Sequence, residues 1–112
     1  MNVTAVEIAQ LPRFCWGQLQ VPNANGEEFW IRDCGPAANH YCSGLIYLVR
    51  AKHSAHKSTR LDLVLHADTD VAYTERAIKD YPQCSIREDV ARSRAEVNNL
   101  IFMYGGKRPG AR

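Results

Sequence analysis

The sequence predicts an all-α domain of one short and three long helices, with a long irregular segment ahead of the first long helix. Three observations predict it. Apolar residues recur at helical spacing over three stretches, about 38–52, 59–80 and 86–104. Two capping boxes, Thr4-x-x-Glu7 and Ser85-x-x-Glu88, mark helix starts. Breakers at Pro12, Gly35-Pro36, Pro82 and Gly105-Gly106 separate the helical stretches, and the short connections make successive long helices antiparallel.

In chain order, the Thr4 hydroxyl caps a short helix from Ala5 to about Leu11, ended by Pro12. Phe14, Cys15 and Trp16 form an apolar knot that packs onto the body of the domain. From Gly17 to Arg32 come Pro22, an Asn25-Gly26 turn signal and Phe29-Trp30-Ile31, which reads as a long loop; a hairpin near 18–21 and 29–31 is the lesser alternative. Such a loop in a small domain is pinned or functional, and Cys15 and Cys34 flank it.

Gly35-Pro36 cannot continue a regular element, so the first long helix starts after it. Asn39 is its candidate N-cap, and Tyr41, Leu45, Leu48, Val49 and the stem of Lys52 form one face. The polar run 53–58 follows. Ser58 or Thr59 then caps a second long helix to about Asp80, with Leu61, Val64, Leu65, Val71, Ala72 and Ile78 on a face interrupted by Asp68 and Glu75. Ser85 caps the third, whose stripe is Ile86, Val90, Val97, Leu100, Ile101 and Tyr104, and Gly105-Gly106 ends it. The expected organisation is one helical domain over 1–106, loop-rich over 12–37, with a flexible basic tail over 107–112.

The chain of 112 residues holds a modest core, and at 46% apolar and 23% charged residues it has the composition of an ordinary globular domain. A net charge of +2 does not by itself point to nucleic acid. No apolar run approaches the about 20 residues of a membrane span. The first residues have neither the basic nor the apolar region of a secretory signal, as in a mature exported chain begun by an added Met. Four cysteines, Cys15, Cys34, Cys42 and Cys84, make an even count without any C-x-x-C, so two disulfides in an oxidising compartment are expected over free thiols or a metal site. Three pairings are open.

Candidate chemistry is sparse. Cys42 in the first turn of a helix, with His40 nearby, has the parts of an activated nucleophile, but residues two apart on a helix do not face each other. His66 and Asp70 share a helix face as metal ligands or as an ionic contact, with no third ligand at matched spacing. His53 and His56 sit in a polar turn, and Asp62, Asp68, Asp70 and Glu75 read as a solvated face rather than acid–base pairs. Asn2-Val3-Thr4 matches the glycosylation acceptor pattern. Lys107, Arg108 and Arg112, with Arg87, Arg92 and Arg94 upstream, lack the aromatic interleaving of a nucleic-acid surface. Trp16, Phe29 and Trp30 read first as packing the loop onto the helices and second as candidates for contact with a protein partner, joined by Tyr41 and Tyr47 on the first long helix. No catalytic residue, metal ligand or cofactor is expected.

The segments Leu11-Pro12-x-x-Cys15-Trp16, His40-Tyr41-Cys42-x-Gly44-Leu45 and Arg50-Ala51, with Ala77 five residues before the helix-ending Pro82, resemble a poorly characterised group of cysteine-bearing exported bacterial proteins with tetratricopeptide-like helical hairpins. The resemblance covers about residues 11–98. It implies a periplasmic or extracellular, non-enzymatic module that binds a protein partner or copies of itself. It also implies pairing Cys15 with Cys42 and Cys34 with Cys84, and it carries over no catalytic residue. The rival expectation is a small thiol- or metal-handling protein using Cys34, His40 and Cys42. An enzyme is disfavoured, because nucleophile, base and oxyanion donors cannot be assembled from these residues.

Overall fold

The computed structural model describes residues 2–107. Among them it is all-helical, without strands: α1 spans Ala5–Ala9, α2 His40–His53, α3 Lys57–Ala77 and α4 Arg87–Met103. Single 3-10 turns occupy Arg13–Cys15 and Glu27–Phe29. The alternative hairpin is not formed: Gln20 takes positive φ within its first strand, and a 3-10 turn over Glu27–Phe29 runs into the start of its second. Of the expected basic tail only Lys107 is described, and it is exposed; 108–112 lie outside the described residues.

The capping box forms at Thr4: Glu7 N–H donates to the Thr4 hydroxyl at 3.1 Å and Thr4 N–H to the Glu7 carboxylate at 2.9 Å. The other expected caps differ. Asn39 is the N-cap residue of α2 but makes no side-chain cap, and α3 begins earlier than expected, with His56 at its N-cap. Ser85 does not cap α4, which starts after Ile86, because the Ser85 hydroxyl accepts from Arg32 N–H at 2.9 Å and so holds the front segment instead. The glycine stop of α4 forms as expected. Gly105 takes φ +86°, Gly106 N–H donates to Ile101 C=O at 2.9 Å and Gly105 N–H to Phe102 C=O at 3.1 Å, which is a Schellman ending.

The main core joins Tyr41, Leu48 and Ala51 of α2, Val64, Ala67 and Val71 of α3, and Val90, Val97, Leu100 and Ile101 of α4. A second cluster, Leu11, Cys15, Cys42, Ile46 and Val49, lies on the other side of α2. The single stripe expected on α2 is therefore incomplete: the helix is buried on two faces, between α3 and the front segment. Gly44 lets α3 come close, since a Cβ there would lie 2.9 Å from the Asp70 Cβ. Contacts from His40 to Tyr73, Gly44 to Asp70 and Tyr47 to His66 run in opposite directions along the two helices, so α2 and α3 are antiparallel.

The acidic face of α3 is only partly the solvated one expected: Asp62 is exposed, but the two interruptions are ion-paired. Arg94 of α4 donates to both Glu75 oxygens, at 2.9 and 3.1 Å, and to Asp68, with side chains 21% exposed for Arg94, 15% for Asp68 and 39% for Glu75. These bonds, led by the Glu75 carboxylate, raise the Arg94 pKa. Leu65, expected in the stripe, is instead 38% exposed, because the buried row runs through Val64, Ala67, Val71 and Thr74. Arg94→Met is expected to lower stability by about 2 kcal/mol, the scale of hydrogen bonds to a charged group. Urea unfolding measures this, and adding Asp68→Asn should recover part of the loss by removing one orphaned carboxylate.

Candidate interaction surface

The front segment has little secondary structure and is fastened at several points. Disulfides join Cys15 to Cys42 in the first turn of α2, and Cys34 to Cys84 in the α3–α4 connection. These are the pairs the resemblance implied. All four cysteines are 6% exposed or less, and no cysteine is free among the described residues. Beside the second disulfide, Arg32 N–H donates to the Ser85 hydroxyl and Ser85 N–H to Arg32 C=O, both at 2.9 Å. Asp33 and Gly35, on either side of Cys34, take positive φ, so the chain turns sharply into and out of the cross-link.

Within this frame the aromatic residues sort themselves. Trp16 stacks on Phe29 with ring centres 5.9 Å apart, and its indole N–H donates to Ile8 C=O at 3.2 Å, so both rings are half-buried. Gly17 N–H donates to Phe29 C=O at 2.9 Å, and the Trp30 ring lies where a Cβ on Gly17 would be. Trp30 remains 46% exposed. Of the three contact candidates in the front segment it alone is exposed, Trp16 and Phe29 being half-buried.

The candidates on α2 differ. Tyr41 is a core residue, 2% exposed, stacked beside Phe14, with its hydroxyl 2.6 Å from the Ser93 hydroxyl. Tyr47 is partly exposed and stacks on His66 at 4.9 Å. His66 and Asp70 do not act as a pair: Asp70 faces His40, whose Nδ1 is 3.7 Å away, and His40 lies against the Tyr73 ring. Cys34, His40 and Cys42 do not converge, and no group of three metal-ligating side chains is found among the described residues. No helix among them is long and apolar enough to cross a membrane.

Sequence reasoning gave no structural role to Arg50, which fastens α1 to α2. Its Nε donates to Glu7 Oε2 at 2.7 Å, and its Nη2 donates to Glu7 Oε1 at 3.1 Å and to Asn2 C=O at 2.6 Å. The Arg50 guanidinium first, and then the Thr4 N–H, hold the Glu7 carboxyl down from 4.5 to about 2. A depressed carboxyl stabilises the fold above its unfolded pKa, and the contribution disappears as pH falls through the folded value. Thermal unfolding should therefore show a loss between pH 4.5 and about 2 that is absent in Glu7→Gln.

Comparison with known proteins finds no matching family model, no matching curated protein and no matching solved structure.

Proposed function

We propose that this chain is a non-enzymatic interaction module of an exported protein, which binds a protein partner or a second copy through its disulfide-clamped front segment. The observation that carries this reading is Trp30, a tryptophan kept 46% exposed on a loop fixed by two disulfides. A rigid loop that displays a large aromatic ring binds with little ordering cost, and tryptophan is enriched among residues that dominate binding energy. Two disulfides in a small chain suit the periplasm or the cell exterior. The antiparallel α2–α3 pair followed by α4 suits a tetratricopeptide-like hairpin with the first helix of a next repeat.

The thiol- or metal-handling alternative loses its chemistry while Cys34 and Cys42 are oxidised, since neither sulfur is then a thiolate. Crosslinking in extract of the native compartment, beside light scattering of the pure protein, tests the proposal. The wild type should form a defined adduct or a dimer that Trp30→Ser loses and that Met103→Ser, an exposed change at the far end of α4, keeps. Monomer alone and identical adducts for all three proteins would reject it.

A further inference from the structure

The antiparallel helices give the domain two ends. The start of α2, the end of α3 and the start of α4 share the disulfide-clamped end; the end of α2, the start of α3 and the end of α4 share the other. At that second end, Phe102 and Met103 are 78% and 59% exposed, the first more than any other large apolar side chain described. The adjoining segments 53–61 and 97–107 contain no Asp or Glu but hold Lys57, Arg60 and Lys107. They meet in space: the Arg60 guanidinium lies 5.7 Å from the Tyr104 ring centre, and a Cβ on Gly105 would lie 3.4 Å from Lys57 Nζ. Arg60 is held there by donating to Ser54 C=O at 2.6 Å.

We propose that this end of the domain docks onto an anionic lipid bilayer surface, with Phe102 and Met103 entering the interfacial layer and Lys57, Arg60 and Lys107 facing headgroup phosphates. A lysine near the last carbonyls of α4 would serve the helix dipole by itself, but that accounts for neither the further cations nor two uncovered apolar side chains. The interfacial layer receives such side chains without a shaped pocket, and the all-basic surround is what favours it over a protein partner. Basic residues beside them add attraction to anionic headgroups. This surface is at the opposite end from Trp30, so the proposal does not depend on the protein-partner reading.

The test is co-sedimentation of the oxidised protein with vesicles of phosphatidylcholine alone or mixed with phosphatidylglycerol. The expected result is binding to the mixed vesicles only, weakened by salt. Lys57→Gln and Lys107→Gln should each weaken it about fivefold. The double change Phe102→Ser and Met103→Ser should weaken it about tenfold, with the helical circular dichroism unchanged because both side chains are exposed. Failure of the wild type to bind, equal binding to neutral vesicles, or binding untouched by the apolar double change would overturn it. So would binding to heparin or polyglutamate with none to vesicles.

Discussion

Replacing Cys15 and Cys42 together by alanine is expected to lower the unfolding free energy by about 4 kcal/mol, and replacing Cys34 and Cys84 by about the same amount. The closed loops span separations of 27 and 50 residues, and loop-closure entropy grows only slowly with length, so neither cross-link dominates. A domain of this size has about 5–15 kcal/mol in total, so losing both leaves it at the edge of folding. The two removals should differ in where order is lost. Cys15–Cys42 belongs to the cluster that packs the front segment onto α2, while Cys34–Cys84 belongs to the main core. Urea unfolding followed by tryptophan fluorescence, which reports Trp16 and Trp30, and by far-ultraviolet circular dichroism, which reports the helices, separates them. Loss of the first cross-link should bring the fluorescence change ahead of the helical one.

Tyr41→Ala should cost about 4 kcal/mol, the scale of emptying a buried aromatic site. The ring belongs to the main core and stacks beside Phe14, so the change loosens the packing of the front segment on the long helices while the disulfides still tether it. Tyr41→Phe should cost only about 1 kcal/mol, because it removes one hydroxyl and leaves the buried Ser93 hydroxyl without that partner. Burial, only partly opposed by the bond to Ser93, pushes the Tyr41 pKa from 10.0 up to about 12. A raised folded-state pKa means the fold favours the protonated form. The contribution is whole below pH 10 and is lost as pH rises to about 12. The difference between wild type and Tyr41→Phe in stability against pH isolates this group from the other tyrosines, and it should shrink across that window.

The features legible in the sequence were local ones. Helical spacing located α2, α3 and α4, Thr4 and Glu7 met each other as a capping box, and Gly105-Gly106 closed α4, because each depends on residues within a few positions. What the sequence hid depends on distant partners. Periodicity could mark one face of α2 but not that the front segment would cover the other, which made Cys42 and Ile46 core residues beside the expected Val49. Ser85 carried the pattern of a cap, yet Arg32, brought beside it by the neighbouring disulfide, takes its hydroxyl. Asp68 and Glu75 looked solvated because Arg94, which neutralises them, comes from another helix. Tyr41 and Trp30 were both aromatic candidates for contact, and only the tertiary fold separates them: the first fills the core, the second stays exposed.

The proposed function requires the front segment to be clamped by both disulfides in the native host, and so requires an oxidising compartment. Alkylation of the protein as isolated from its native host, followed by intact mass under non-reducing conditions and a disulfide peptide map, tests it most directly. The expected result is no alkylated cysteine and two cross-linked peptide pairs, Cys15 with Cys42 and Cys34 with Cys84. Alkylation of all four cysteines would contradict it, placing the chain in a reducing compartment and returning its thiols to the chemistry that the clamp excludes.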